Sequence, residues 1–166
     1  MIFGVSTATY TLIHVVISLT GIASGLIVLF GLLTGRRLDH WTSFFLLTTA
    51  ATSVTGFFFP FHGFTPAIGG SIISLVALAV ASIARYVRHL AGAWRWIYVT
   101  SATFALYLNV FSLIVQAFLK VPVLHAMAPT LSEPPHLVTQ FLALILFVVL
   151  GIFAVKRFRV SPVRPD

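Results

Sequence analysis

The sequence contains no cysteine and only three acidic residues, Asp39, Glu133 and Asp166. The first absence excludes disulfides, iron–sulfur clusters and thiol catalysis. The second leaves no paired carboxylates for acid–base hydrolysis. It also leaves no carboxylate inside an apolar run, where a proton-coupled transporter usually carries one. Charge of either sign is scarce, 8% of the 166 residues, and the hydrolase patterns G-x-S-x-G and H-E-x-x-H are missing. Together these absences weigh against an enzyme.

What fills the chain is apolar: 59% of the residues are hydrophobic. Five apolar runs fall at 8–33, 41–61, 66–87, 96–119 and 136–155, each near the roughly 20 residues that a helix needs to cross a bilayer. The expected fold is therefore all-α, a single domain of five transmembrane helices. The net charge of +7 does not point to nucleic acid, because the basic residues flank apolar runs and form no basic face.

Placement of the charges predicts orientation. Arg36 and Arg37 follow run 1; Arg85, Arg88 and Arg95 lie between runs 3 and 4; Lys156, Arg157, Arg159 and Arg164 follow run 5. Nine of the ten Lys and Arg residues thus fall on one side, and only Lys120 falls on the other. The positive-inside rule then puts the N-terminus outside and the C-terminus in the cytoplasm. MIFGVSTATY carries no basic residue and no small-residue cleavage site follows a short apolar core, so run 1 reads as a retained helix.

Local signals refine this plan. Gly35 reads as a helix stop, with Asp39 as a cap of the next helix or a partner for Arg36 and Arg37. Thr65 followed by Pro66 reads as a cap and first-turn proline. Pro122 ends run 4, and Thr130 or Ser132 is a candidate cap in the loop before run 5. Gly21 and Gly25 form a G-x-x-x-G pattern, which most often serves close helix packing. Run 2 carries seven hydroxyl residues, which can bond their own helix backbone.

Candidate functional residues gather on run 4. At 100° per residue, Tyr98, Ser101, Ala105, Asn109, Ser112, Gln116 and Lys120 share one narrow face. Amides at Asn109 and Gln116 and an ammonium at Lys120 are costly in hydrocarbon, so this stripe should face protein or water, with the other helices arranged around it. His14 and Gln140 are expected at the same outer level. So are His62, His125, Glu133 and His136. Three helix N-termini would also face that mouth and favour an anion there.

The predicted site is a non-enzymatic pocket for a small amphipathic or anionic molecule, formed by Asn109, Gln116, Lys120, His14 and Gln140. Ordinary interhelical bonding by the amides and snorkelling of Lys120 are the simpler alternatives. A b-type haem or a metal would need histidines at matching depth, for which His14, His62 and His136 are weak candidates. A redox or accessory subunit holding haem or quinone in a larger membrane complex is the competing reading. A homo-oligomer also fits.

The segment Leu108–Pro135, LNVFSLIVQAFLKVPVLHAMAPTLSEPP, resembles one found in small bacterial multi-pass membrane proteins of no assigned activity. The matching positions are Asn109, Gln116, Phe118, Lys120, Pro122, His125, Ala128–Thr130 and Ser132–Pro135. The resemblance implies a bacterial cytoplasmic (inner) membrane location. It carries no site residues.

Overall fold

The computed structural model describes residues 4–59 and 65–159. Its elements are α1 (Thr7–Leu33), α2 (Asp39–Gly56), α3 (Pro66–Ser82), α4 (Trp94–Lys120), the short α5 (Pro122–Met127) and α6 (Pro134–Arg157). A single wide π-helical turn, Ile83–Val87, continues α3. Among the described residues the protein is all-helical.

Four of these helices, α1, Pro66–Val87, α4 and α6, are long and apolar enough to cross a membrane. The second apolar run forms a helix as expected, but α2 is only 18 residues long and ends at Gly56, short of the predicted 61. It opens on Asp39 and His40 and holds all seven hydroxyl residues of the run, which lowers its hydropathy below that of its neighbours.

Five of those seven hydroxyls are hydrogen-bonded, and that of Thr52 is buried with no partner among the described residues. Ser43, Thr48 and Thr55 donate to the carbonyls of Asp39, Phe44 and Ala51, four residues back on the same helix. Thr42 and Thr49 bridge helices, to Tyr98 and Asn109, and Ser43 and Thr55 also reach Tyr86 and His14. A helix that looks polar in composition is thereby bonded from one end of the bundle to the other.

Helix ends follow the local signals in part. Gly35 adopts φ +69°, a left-handed conformation that glycine takes without strain, and Arg36 N–H donates back to Gly31. Thr65 caps α3, its hydroxyl accepting from Ile68 N–H, with Pro66 in the first turn. Asp39 is not a side-chain cap; it pairs with arginines instead. Pro122 does end α4, but it also begins α5, where a loop was expected, because a fixed φ suits the first turn of a new helix. Glu133 takes the cap position of α6. Its carboxylate accepts from Thr130 N–H and from the Thr130 hydroxyl, holding the turn before the helix.

At the centre lies α4, which touches α1, α2, α3 and α6. Tyr98, Val99, Ala102, Ala105 and Leu106 are almost fully buried there. Gly25 of α1 abuts this core: a Cβ on it would come within 2.6 Å of Leu106 and 2.8 Å of Phe45. The other glycine of the pair, Gly21, has ordinary room, 3.4 Å from Thr48 and Thr49. The pattern therefore serves packing, and it does so through one glycine.

Candidate functional site

The polar stripe on α4 divides at mid-length. Tyr98, Ala105 and Asn109 are buried, whereas Ser112, Gln116 and Lys120 are exposed. The covering helices close over the first half and leave the second half open.

Each buried polar member has its own partner. Asn109 donates its amide to the Thr49 hydroxyl at 3.1 Å, a bond between α4 and α2 within the core. Tyr98 shares a hydrogen bond with Thr42 at 3.3 Å. The open members, Gln116 and Lys120, make no hydrogen bond with a described residue.

His14 is half-buried on α1, against the end of α2. Its Nδ1 lies 2.8 Å from Thr55 Oγ1, and Phe59 packs edge-on to its ring at 5.1 Å. The Thr55 hydroxyl directs its one proton to the Ala51 carbonyl at 2.7 Å, so Nδ1 of His14 is the donor. Nε2 then has a lone pair that no described residue engages. Lys120 is near enough to act on His14 electrostatically.

Gln140 belongs to a different seam. It donates to the Phe111 carbonyl at 3.2 Å, and its Nε2 lies 3.3 Å from His136 Nε2. The His136 Nδ1–H donates to the Leu131 carbonyl at 2.7 Å, so its Nε2 accepts from Gln140. Both ring nitrogens of His136 are thus occupied, and Phe118 packs edge-on at 5.2 Å. The Gln140 carbonyl oxygen is buried without a partner. Phe118 is two residues, some 200° of helix rotation, from Gln116, so Gln140 and His136 sit across α4 from the open stripe.

The five predicted residues therefore fall into three places. Gln116 and Lys120 share the open half of the α4 stripe with His14 of α1 within electrostatic reach of Lys120, Asn109 faces α2, and Gln140 joins α6 to α4. Of the metal candidates, His62 lies outside the described residues; among those described, no group of three or more His, Asp or Glu could hold a metal.

The opposite end of the bundle holds a cluster that helical periodicity alone left unpaired. Arg85, on the π-helical turn, is 3% exposed and pairs with Asp39, which also accepts from Arg37 Nε at 2.9 Å. Its guanidinium lies 5.3 Å from the Tyr98 ring and 5.7 Å from that of Tyr86, within cation–π range. Arg95 donates to the carbonyls of Val155, at 3.0 Å, and Phe158, covering the exposed C-terminal end of α6. Arg88 lies over the Trp94 ring at 5.0 Å. The signal available in sequence was Arg85 itself, the one cation on the inward face of run 3, paired in charge with the lone Asp39.

Comparison with protein-family models, with curated proteins and with solved structures finds no match to this chain.

Proposed function

We propose that the chain is a five-span protein of a bacterial cytoplasmic membrane, N-terminus outside and C-terminus inside. On this reading it binds a small amphipathic or anionic molecule at its outer end without catalysing a reaction. Two observations support the span count. First, α2 is bonded to α4 near both its start and its middle, through Thr42 and Thr49, and to α1 at its end through Thr55. Second, 18 residues at 1.5 Å each give about 27 Å, close to the ~30 Å hydrocarbon core. The gathering of Arg37, Arg85 and Arg95 with the last turn of α6 supports the orientation, since it collects basic residues from two connections and the end of α6 at one end of the bundle.

The observation that carries the binding reading is the open outer half of the α4 stripe. Gln116 offers an amide, Lys120 a positive charge and His14 Nε2 an acceptor, all at one end of the bundle. An anion or a carbonyl-bearing head satisfies the first two, and a hydroxyl satisfies the third.

The test is mass spectrometry of small molecules that co-purify with the protein in mild detergent. Wild type should retain a molecule whose recovery falls at least fivefold in Lys120→Ala and in His14→Ala. Recovery independent of both substitutions contradicts the reading. A Soret band that His14→Ala abolishes would instead identify the molecule as haem.

A further inference from the structure

A second opening lies on the other side of α4, between it and α6, with a volume of about 360 Å³. Its walls are Phe104, Tyr107, Leu144, Phe147 and Gly151, and Lys156 stands at its end. Apart from Lys156, two threonines and the Tyr107 hydroxyl, the side chains of the lining are hydrocarbon and aromatic ring. The rim residues Leu144, Val148 and Ile152 are 39%, 52% and 51% exposed, so the groove opens sideways to whatever surrounds the bundle.

Its length is informative. From Lys156 to Leu144 is twelve residues of α6, about 18 Å, which is near the ~15 Å depth of one leaflet. Beyond Leu144 the seam is shut by the Gln140–Phe111 hydrogen bond and the Phe118–His136 contact. A partner helix would need a seam running the whole length of α6. A single acyl chain needs one leaflet of it, with a head at the open, charged end.

Charge selects the head. Lys156 is exposed and pairs with no carboxylate among the described residues, and Arg157 and Arg159 follow it. Arg95 beside them is committed to the α6 carbonyls. We infer that this groove is a site for an anionic phospholipid of the basic-side leaflet, one acyl chain lying along α6 and the phosphate on Lys156. The inference rests on the membrane-spanning reading but not on the outer site.

The full-length protein, purified in detergent and mixed with dioleoyl phosphatidylglycerol or dioleoyl phosphatidylcholine, is ejected intact into a mass spectrometer, and bound lipid is counted. Wild type should hold phosphatidylglycerol in preference to phosphatidylcholine. Lys156→Gln should lose about fivefold in phosphatidylglycerol retention and nothing in phosphatidylcholine, one basic residue's share of attraction to an anionic head. Gly151→Leu should reduce both, because it fills the groove. A Cβ at Gly151 meets only Thr103 Cγ2, at 3.6 Å, so the backbone accommodates it. Val148→Trp blocks the groove from its exposed rim and should reproduce that loss. Equal retention of the two lipids by wild type, undiminished phosphatidylglycerol in Lys156→Gln, or full retention in both groove-filling variants would overturn the inference.

Discussion

Arg85 and Asp39 show how one residue pair organises an end of the bundle. Arg85 is almost wholly buried, while the Asp39 side chain is 58% exposed, so the pair straddles the boundary between core and surroundings. Removing Asp39 leaves a buried guanidinium with two aromatic faces and no counter-charge, which is costlier than removing an exposed partner. Asp39→Asn should lower stability by about 1–3 kcal/mol, discounted from a fully buried pair because of that exposure. Arg37→Gln, whose pair is open to solvent, should cost no more than about 1 kcal/mol. Unfolding in SDS titrations of both variants checks the order, and equal losses would contradict it.

A second residue-scale prediction concerns pH. Desolvation, the largest single influence, pushes the Glu133 carboxyl up, but hydrogen bonds from the Thr130 hydroxyl and from backbone N–H groups together outweigh it and hold the carboxyl below its ordinary value. A carboxyl depressed by folding contributes support that is complete above its unfolded value and is lost as pH falls through the folded one. The turn Thr130–Glu133 should stay closed at neutral pH and open only in acid, below the usual carboxylate range. The protection of the Thr130 amide from hydrogen exchange, taken relative to its intrinsic rate at each pH, should be present at neutral pH and lost in acid. Glu133→Gln should remove the pH dependence.

At the scale of elements, the two glycines of α1 separate by what surrounds them. Gly25→Ala forces Leu106 and Phe45, both about 1% exposed, to move, so it should cost about 1–3 kcal/mol. Gly21→Ala meets only ordinary contacts and gains helix propensity, so it should be neutral or mildly stabilising. Thermal unfolding of the two variants in one detergent decides the point.

Elements also show what the sequence could convey. The apolar runs, the Gly35 stop and the Thr65–Pro66 start were legible because each is a local property of a few residues. The inner half of the α4 stripe was legible for a related reason: helical period alone sets which residues share a face. The division of that stripe was not, because it depends on how far the neighbouring helices extend over α4. The separation of Gln140 from Lys120 depends likewise on which side of α4 receives α6. The short α5 was hidden by Pro122, which is equally compatible with a loop and with a first helical turn. Composition also understated α2, since a hydropathy sum counts hydroxyls as polar whether or not the helix backbone and neighbouring helices have already engaged them.

For the whole molecule, the two ends of the bundle differ in kind. One end is basic, with its arginines tied to Asp39, to aromatic rings and to the last carbonyls of α6. The other carries Lys120, His14 and Gln116 with fewer internal partners. On the proposed reading, this asymmetry holds the chain in one orientation and leaves the less committed end for a ligand. The span count determines which compartment that end faces, and α2 is the helix on which the count depends.

Absence of native cysteine makes the decisive measurement clean. Single substitutions Val5→Cys, Arg36→Cys, Phe58→Cys and Arg159→Cys are labelled in intact cells with a membrane-impermeant maleimide, before and after permeabilisation. Five spans predict that Val5→Cys and Phe58→Cys react from outside, and that Arg36→Cys and Arg159→Cys react only once the membrane is opened. Reaction of Arg36→Cys and Phe58→Cys from the same side would mean that α2 does not cross, and would contradict both the orientation and the outer placement of the Gln116–Lys120–His14 face.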